Sequence, residues 1–289
     1  MILVDFDMLA HRCYNAMDGI LSTGDKPTGM EYGTMRTLKT LAKRISFTEP
    51  KLVLCLEGVF GKKNSGERPP WYKANREPKP PSFYERKDIL IENLTQVYHW
   101  AEAPFYEADQ VMHSLLRGDK PFYIYSNDSD LFQSISENVV VIRSFEHQLY
   151  FWDREKVFEK FLVWPYMYPI YKTLIGDPTD NIPGIKRIPR KLAAEMSRQI
   201  MNECVRKKGM SVINGTIQVM AEYYHRVSKN MKKKFDDFIN KGQLQINYEL
   251  IKLKNDVKVE LQKPKGGSIQ SYLDSLAIQS LTFEEETEF

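Results

Sequence analysis

Short apolar runs alternate with helical patterns along the first half of the chain. The runs at 1–5, 51–57 and 121–127 are brief and continuously apolar, and a fourth, "NVVVIRSF", follows at 138–145. Such runs are typical of buried β-strands. Between them, "GTMRTLKTLAKRI" and "ADQVMHSLLRG" place apolar side chains at steps of three and four residues, the period of a helix. This alternation predicts an α/β fold, with a mostly parallel central sheet flanked by helices.

The same pattern divides the chain into three predicted parts. Residues 1–175 form the α/β domain, and a stretch rich in Pro, Lys and Arg leaves it as an exposed basic arch within 58–104. Strand signals fade after that domain, and 176–245 is predicted to be a helical, basic subdomain. The remainder, 246–289, is a C-terminal segment with an acidic tail. Around its start, "QLQINYELIKLKNDVKVEL" at 243–261 returns to an alternation that is typical of strands.

Composition narrows the class of protein. The 289 residues are 42% hydrophobic and 27% charged, which is ordinary for a soluble globular protein. The three cysteines are widely separated, so a reduced intracellular protein is expected, and the five scattered histidines do not predict a zinc site. The net charge of +3 does not by itself indicate a nucleic-acid binder. However, basic residues gather in "GKKNSGERPPWYKANREPKP", "IKRIPRK" and "SKNMKKK".

Acidic residues follow the predicted strands. Asp5, Glu57 and Asp128 each end one apolar run, and Asp130 lies two residues after Asp128. If the strands are parallel, these carboxylates meet at one edge of the sheet. Asp128 and Asp130 would face the same way if the local chain were extended.

Two further pairs of acids extend this set. Glu107 and Asp109 stand at the start of a helix, and one of them must belong to the preceding turn because residues two apart do not share a helix face. Asp177 and Asp180 are three apart on one predicted helical turn.

Each acid alone could be an ordinary helix cap. Together in one cleft they would repel each other unless cations shared the site. Carboxylates without histidine or thiolate favour Mg²⁺ or Mn²⁺, and two such ions suit phosphodiester hydrolysis.

One resemblance gives these acids another role. "ILVDFD", "FYIYSN" and "LIGDPTD" resemble motifs of haloacid-dehalogenase-type phosphatases. In that alternative Asp5 is the nucleophile and Asp7 the general acid. Leu9 departs from the Thr or Val that is usual there, and the resemblance leaves the acids of "YEADQV" and the basic stretch without a role.

A second resemblance covers nearly the whole chain. "LVDFDMLAHRCYNAM", "WYKANR", "YEADQV", "YSNDSDLFQSIS" and "LIGDPTDNIPGI" are similar, in order and spacing, to motifs of the 5′ nuclease family. This family contains flap endonucleases and 5′-to-3′ exonucleases of phages and of the N-terminal part of bacterial DNA polymerase I. The resemblance implies a PIN-like 5′ nuclease domain with an arch and a helix–hairpin–helix-like DNA-binding subdomain. It also implies metal-dependent cleavage near the 5′ end of branched, flapped or nicked DNA, and of RNA primers.

The resemblance also implies roles for individual residues. Lys73 and Arg76 would act on the scissile phosphate from the arch. The implied DNA contacts are Arg12, Lys62, Lys63, Tyr72 and Lys191, and Tyr72 is either a platform for a terminal base or a buried arch aromatic. The implied metal ligands, direct or through water, are Asp5, Glu57, Glu107, Asp109, Asp128, Asp130, Asp177 and Asp180.

Three departures from the family pattern affect these expectations. Pro189 occupies a glycine position of the helix–hairpin–helix and removes an N–H donor, which weakens the case for a bound K⁺. Glu57 stands where the family usually has Asp. Gln110 replaces a second Asp, which would remove a metal ligand or the anchor of its water. A catalytically weakened DNA-junction binder is therefore a further alternative.

The expected partner is DNA, or an RNA–DNA hybrid, bound by a monomer. A short stand-alone chain suggests a phage enzyme acting in the bacterial cytoplasm. A replication protein is a further conceivable partner.

Overall fold

The computed structural model describes residues 1–45, 51–58, 68–146 and 148–278. Two of the predicted DNA contacts, Lys62 and Lys63, and the acidic tail lie outside the described residues.

The described elements alternate between strands and helices up to residue 175. The strands are β1 (Ile2–Asp5), β2 (Ser22–Thr23), β3 (Lys26–Pro27), β4 (Leu52–Cys55), β5 (His99–Ala101), β6 (Phe122–Tyr125), β7 (Val139–Phe145), β8 (Gln148–Trp152), β9 (Gly176–Asp177) and β10 (Ile182–Pro183). The helices are α1 (Phe6–Met17), α2 (Gly29–Ile45), α3 (Pro81–Val97), α4 (Ala108–Leu115), α5 (Arg154–Phe161), α6 (Tyr168–Ile175), α7 (Arg190–Arg206), α8 (Val212–Tyr223), α9 (Lys229–Asn240), α10 (Gln243–Ile251) and α11 (Gln270–Ser275). Short 3₁₀ helices cover Ser129–Ser134, Pro165–Met167 and Pro178–Asp180.

The central sheet confirms the predicted α/β class. Within the described residues it has six strands in the order β5-β4-β1-β6-β7-β8, and only β8 runs antiparallel to its neighbour. β1 lies between β4 and β6, with Asp5 opposite Cys55 and Val4 opposite Tyr125. The carboxyl ends of five parallel strands therefore share one edge of the sheet.

Side-chain alternation along β1 explains why this strand is central. Leu3 packs into a cluster on one face of the sheet, whereas Ile2 and Val4 pack into a second cluster on the other face. All three are fully buried, as expected for a strand that is covered on both sides. One face contacts α1, α2, α3 and α11, and the other contacts α4, α5, α6 and the helices α7 to α10.

The C-terminal helices share a core with the sheet. One continuous hydrophobic cluster runs from Leu3 and Val141 in the sheet to Ile200 in α7 and Phe235 in α9. The predicted boundary at 175/176 coincides with the end of α6. The predicted arch region, 58–104, contains α3 and β5, and both belong to the α/β core.

The strand-like alternation predicted from residue 243 is wrong for its first nine residues, 243–251. Residues 243–251 form α10, because the side chains that are buried are Leu244, Asn247 and Ile251, at helical steps of three and four. The alternation of apolar residues in this stretch hid that spacing. Beyond α10 the described chain makes a single isolated bridge to the sheet, between Gln262 and Trp100 of β5.

Among the described residues no helix combines the length and hydropathy that crossing a membrane requires.

Candidate active site

A large cavity opens at the carboxyl edge of the central sheet. Its volume is about 1320 Å³, above the 300–1,000 Å³ that is typical of small-molecule pockets, so it can admit a segment of a polymer. Seven of the eight predicted metal ligands line it: Asp5, Glu57, Glu107, Asp109, Asp128, Asp177 and Asp180. The eighth, Asp130, lies buried next to them.

Asp5 is fixed where β1 passes into α1. Its Oδ1 accepts the Met8 N–H (3.0 Å) as the N-cap of α1, and its Oδ2 accepts the Ser126 hydroxyl (2.7 Å). Ser126 Oγ also accepts the Asp128 N–H (3.1 Å). One buried hydroxyl therefore ties together the acids that follow β1 and β6.

Asp128 and Asp130 do not lie on an extended chain, so that expectation is wrong. Asp128 is the N-cap of the 3₁₀ helix Ser129–Ser134, and its Oδ1 accepts the Asp130 N–H (2.8 Å). This side-chain cap closes a turn that strand periodicity does not predict. As a result Asp128 faces the cavity, while Asp130 is only 5% exposed behind it.

Glu107 and Asp109 stand at the start of α4, as predicted. Glu107 is the N-cap residue and belongs to the preceding turn, and Asp109 lies in the first turn. Asp109 Oδ1 accepts the N–H of Gln110 (2.6 Å). Both acids line the cavity.

Three of the acids, which we call the open acids, are Asp5, Asp109 and Asp128. Among the described residues, no lysine or arginine nitrogen lies within 4.0 Å of their carboxylates. Burial, aided by Asp7 and Asp128, raises the pKa of Asp5 to about 7. Burial, together with Glu107 and Asp128, raises the pKa of Asp109 to about 7. Such carboxylates are fully ionised near neutral pH only if a cation joins them.

Four others, which we call the paired acids, are Glu107, Asp130, Asp177 and Asp180. Lys172 of α6 is 3% exposed and contacts Asp130, and its Nζ lies 2.6 Å from Asp177 Oδ2. Burial would lower the pKa of Lys172, but the surrounding carboxylates outweigh it and raise that pKa. One lysine thus serves two buried carboxylates, and burial still holds the pKa of Asp130 well above its usual range.

The arch supplies cations to the other paired acids. Lys73 Nζ lies 2.6 Å from Glu107 Oε2 and 3.9 Å from Asp180 Oδ2. Arg68 Nη1 lies 2.5 Å from Glu107 Oε1, and Arg76 forms an ion pair with Asp180. Burial opposes ionisation of Glu107, but Lys73 and Arg68 outweigh it and lower its pKa. The two predicted catalytic cations thus lie over the predicted metal ligands.

Backbone contacts hold the arch turn over the acids. The Lys73 N–H donates to the Asp180 carbonyl (2.9 Å), and Asn181 Nδ2 donates to the Trp71 carbonyl (2.7 Å). Lys73 has φ of 54°, a left-handed conformation that is uncommon outside glycine. Its cost is of order 1–3 kcal/mol, and such conformations cluster at functional sites.

The donor set fits divalent cations. One carboxylate oxygen each of Asp130, Asp177 and Asp180 lies within 4.8 Å of the others, and the remaining acids supply further oxygens. Carboxylate oxygens are the ligands that Mg²⁺ and Mn²⁺ prefer. The acids that lie this close together are thus paired acids, whereas the open acids form no group of that closeness among the described residues. The open acids are candidates for a divalent ion because no lysine or arginine of the described residues neutralises them.

Asp7 and Glu57 lie together on the cavity wall. The Glu57 N–H donates to Asp7 Oδ2 (3.3 Å), and Asp7 forms an ion pair with buried Lys87 of α3. Asp7 is therefore held in a structural ion pair between α1 and α3.

Gln110 faces away from the acids. Its Nε2 donates to Ser114 Oγ (3.0 Å) and to the Lys254 carbonyl (2.7 Å), and its Oε1 accepts the Lys254 N–H (2.8 Å). It joins α4 to the C-terminal segment.

The predicted DNA contacts lie in different places. Arg12 lines the cavity, with its guanidinium 5.3 Å from the ring centroid of Tyr125. Tyr72 also lines it, half-buried between Arg68 and Lys73. Lys191 is exposed in the first turn of α7, outside the cavity lining.

Sequence reasoning missed Lys172, Arg68 and Ser126. The signal for Lys172 was a lone lysine in the apolar helix "YPIYKTLI", because a buried lysine requires a carboxylate partner. Arg68 was one of many basic residues in its stretch, and Ser126 had no distinguishing pattern.

Comparisons with known proteins agree with this geometry. The family described as "5'-3' exonuclease, N-terminal resolvase-like domain" matches residues 1–162. A 5'-3' exonuclease of Aquifex aeolicus is 29% identical over 297 residues, covering 98% of this chain and 93% of that protein. A thermostable DNA polymerase I of Thermus thermophilus is 26% identical over 295 residues, and the chain spans 33% of its length. A bacteriophage T5 flap endonuclease, solved with DNA and metal ions, has a similar fold, with a TM-score of 0.60 and 17% identity over 87% of this chain and 88% of that one.

Proposed function

The chain belongs to the 5′-3′ exonuclease family, and from this premise we propose that it is a structure-specific 5′ nuclease. It hydrolyses phosphodiester bonds near the 5′ end of branched, flapped or nicked DNA and depends on divalent metal ions. The observation that supports this most strongly is the row of acids along the carboxyl edge of the sheet, directly beneath a basic arch.

The open acids are the proposed holders of the metal. Asp5, Asp109 and Asp128 are the carboxylates that lack a cation of the protein within the described residues, and Ser126 fixes two of them relative to each other. When bound, divalent ions supply activation of water and neutralisation of the phosphodiester. Glu57 and the paired acids complete the set, either directly or through water.

The arch cations are proposed to act on the scissile phosphate. Lys73 and Arg76 now neutralise Glu107 and Asp180, so each must exchange a carboxylate for a phosphate oxygen when DNA enters. Fixed positive charge at that point offsets the charge that develops during hydrolysis. The ring of Tyr72 lies in the same wall and is proposed to meet a terminal base.

The identity of the metal ions, the further substrates and the partners are also proposed. Mg²⁺ or Mn²⁺, in two sites, is the proposed metal. K⁺ at the turn before α7 is the least supported, since Pro189 lacks an N–H donor there. Cleavage of RNA primers, a monomeric state, action in the cytoplasm and a replication partner rest on the family resemblance.

The two alternatives have less support. A phosphatase with Asp5 as nucleophile leaves the arch and the acids of α4 without a role. The weakened junction binder rested on the loss of an acid at Gln110, whose side chain faces the C-terminal segment and not the cavity.

A cleavage assay separates the three functions. A labelled 5′-flap duplex and a generic phosphomonoester are each incubated with Mg²⁺, with Mn²⁺ and with chelator. We expect the duplex to be cut with metal only and the phosphomonoester to remain intact. Hydrolysis of the phosphomonoester alone would establish the phosphatase, and tight duplex binding without cleavage in either metal would establish the binder.

A further inference from the structure

The strand β7 has a basic residue at the level where its parallel neighbours end. Asp5 is the last residue of β1, and Glu57 and Asp128 follow β4 and β6, whereas Arg143 lies at this level within β7, which continues to Phe145. Register fixes this place, because Ile142 lies opposite Tyr125, the last residue of β6. The guanidinium thus belongs to the same edge as Asp128.

Local contacts hold Arg143 in position. Its Nη2 donates to the Asn127 carbonyl (2.9 Å), and its guanidinium lies 5.6 Å from the ring centroid of buried Phe132. Asn127 is fixed in turn by two hydrogen bonds to the backbone of Ser144 (3.0 and 3.2 Å). One carbonyl uses one of the five N–H donors of the guanidinium, so the others can bind a ligand.

Arg143 differs from the basic residues of the arch in its ion pairing. Arg68, Lys73 and Arg76 line the cavity, and each forms an ion pair with Glu107 or Asp180. Arg143 also lines it, but within the described ranges no carboxylate oxygen lies within 4.0 Å of its guanidinium nitrogens. Its charge is therefore available to an anion without breaking an ion pair.

The place of Arg143 in the sheet is a second difference from the basic residues of the arch. Glu57 follows β4, and Arg143 lies on β7, three strands away in the sheet. At the usual strand spacing the two backbones are roughly 14 Å apart. Among the described residues the arch cations pair with Glu107 and Asp180, and Arg143 pairs with neither, so we expect it to meet a different part of a bound strand.

We propose that Arg143 is a phosphate-binding residue of the cleft, which holds a phosphodiester next to the one that is cut. The inference rests on the proposed nuclease function and adds a subsite on the β7 side of the acid row. Guanidinium binds phosphate through two parallel N–H donors, which lysine cannot reproduce. The ligand is the nucleic-acid backbone, so the contact carries no sequence preference.

Binding of a 5′-flap duplex tests the subsite, measured across a salt series with Ca²⁺ present and the duplex recovered uncut. Arg143→Gln should weaken binding about tenfold or more and reduce the slope of log affinity against log salt by about one. Arg143→Lys should keep the slope and lose part of the affinity. Arg117→Gln, an exposed arginine outside the cavity lining, should change neither quantity.

Asn127→Ala is the control for an indirect effect of Arg143→Gln, in which the variant would disturb the neighbouring loop at Asn127 and not remove a phosphate contact. It removes the bonds to Ser144 and leaves the charge, so the slope should stay that of the wild type. A wild-type affinity and slope for Arg143→Gln would overturn the subsite, as would a weakened affinity with an unchanged slope. If Arg143→Gln does not fold, Arg143→Lys decides, because unchanged affinity in that variant would also overturn the proposal. Wild-type protein that neither binds nor cuts the duplex would instead refute the nuclease function.

Discussion

The two halves of the acid row are built from the same residue type and are stabilised in opposite ways. The paired acids lie against Lys172, Lys73, Arg68 and Arg76, so the folded chain neutralises them. The open acids accept hydrogen bonds from backbone and from Ser126, and no cation of the described residues pairs with them. Burial raises the pKa of Asp5 and Asp109 to about 7. Burial also raises the pKa of the paired Asp130, so the presence or absence of a lysine or arginine partner is what separates the two groups.

Removal of an open acid should give the largest effect. Asp128→Asn should lower cleavage of a flap duplex by roughly a thousandfold or more, since even residues that only support metal ligands are worth ten- to a hundredfold. Affinity for uncut duplex should stay within about threefold, because Asp128 contributes no positive charge to phosphate. Single-turnover cleavage and equilibrium binding measure the two quantities. A parallel loss of both would mean that Asp128 shapes the cleft and does not serve the metal.

Removal of Lys172, the cation between two of the paired acids, should mainly lower the free energy of unfolding. Lys172→Met leaves Asp130 and Asp177 buried without their partner, and breaking such a pair costs about 3–5 kcal/mol. Urea denaturation in chelator measures the free energy of unfolding, and added Mg²⁺ should restore part of it. Lys229→Met, at an exposed lysine of α9, should be nearly neutral. Equal, small losses for both variants would show that Lys172 does not hold the paired acids.

Gln110 and Asp109 are adjacent and should respond oppositely to an exchange of charge. Gln110→Asp loses the amide donor to the Lys254 carbonyl and should cost about 1–3 kcal/mol of unfolding free energy, without a gain in metal affinity. Asp109→Asn should weaken metal binding and leave the metal-free protein as stable or more so. Calorimetric Mn²⁺ titration and urea denaturation distinguish them. Tighter Mn²⁺ binding by Gln110→Asp would place that side chain in the metal site after all.

The smallest effect should be a dependence of metal-free stability on pH. Unfolded aspartates have a pKa near 3.9, so the folded protein, with Asp5 and Asp109 near 7, binds more protons between these values. Stability from these groups is therefore present at low pH and is lost as pH rises through about 7. His99 and His113, whose pKa values are lowered by burial, act in the opposite direction but only below about 6.5.

Two other groups contribute to the pH dependence near neutrality, so the open acids are measured by the difference between wild type and Asp5→Asn from pH 6.5 to 8. Burial raises the pKa of Asp130, which acts in the same direction as the open acids, and burial lowers the pKa of the N-terminal amine, which acts in the opposite direction. In chelator the thermal midpoint should fall across this window, and Asp5→Asn should flatten the fall. With Mg²⁺ present the midpoint should fall less. A midpoint that rises between pH 6.5 and 8 in the metal-free wild type would contradict the raised pKa values.

Much of this site could be predicted because parallel strands bring their carboxyl ends together. Asp5, Glu57 and Asp128 were placed by that rule alone, and the structure lines one cavity with them. Local caps were less predictable: Asp128 caps its own turn, which turns Asp130 inward, and no periodicity signals such a bond. The α10 helix was hidden because an alternating apolar pattern there overlies a buried face at helical spacing.

Partners distant in sequence were the least predictable. Lys172 meets Asp130, Lys87 meets Asp7 and Gln110 meets Lys254, across 42, 80 and 144 residues. A single sequence contains each residue but not the pairing. For the lone lysine of α6, the apolar surroundings indicate that a buried acid is needed, but they do not identify Asp130 or Asp177 as that acid.

A crystal grown with Mn²⁺ shows which acids hold the metal, because anomalous scattering locates the ions independently of the carboxylates. We expect manganese bound directly to the open acids Asp5, Asp109 and Asp128, with Lys172 still between Asp130 and Asp177. Manganese found only at other surfaces, with the open acids left unbound, would contradict this expectation.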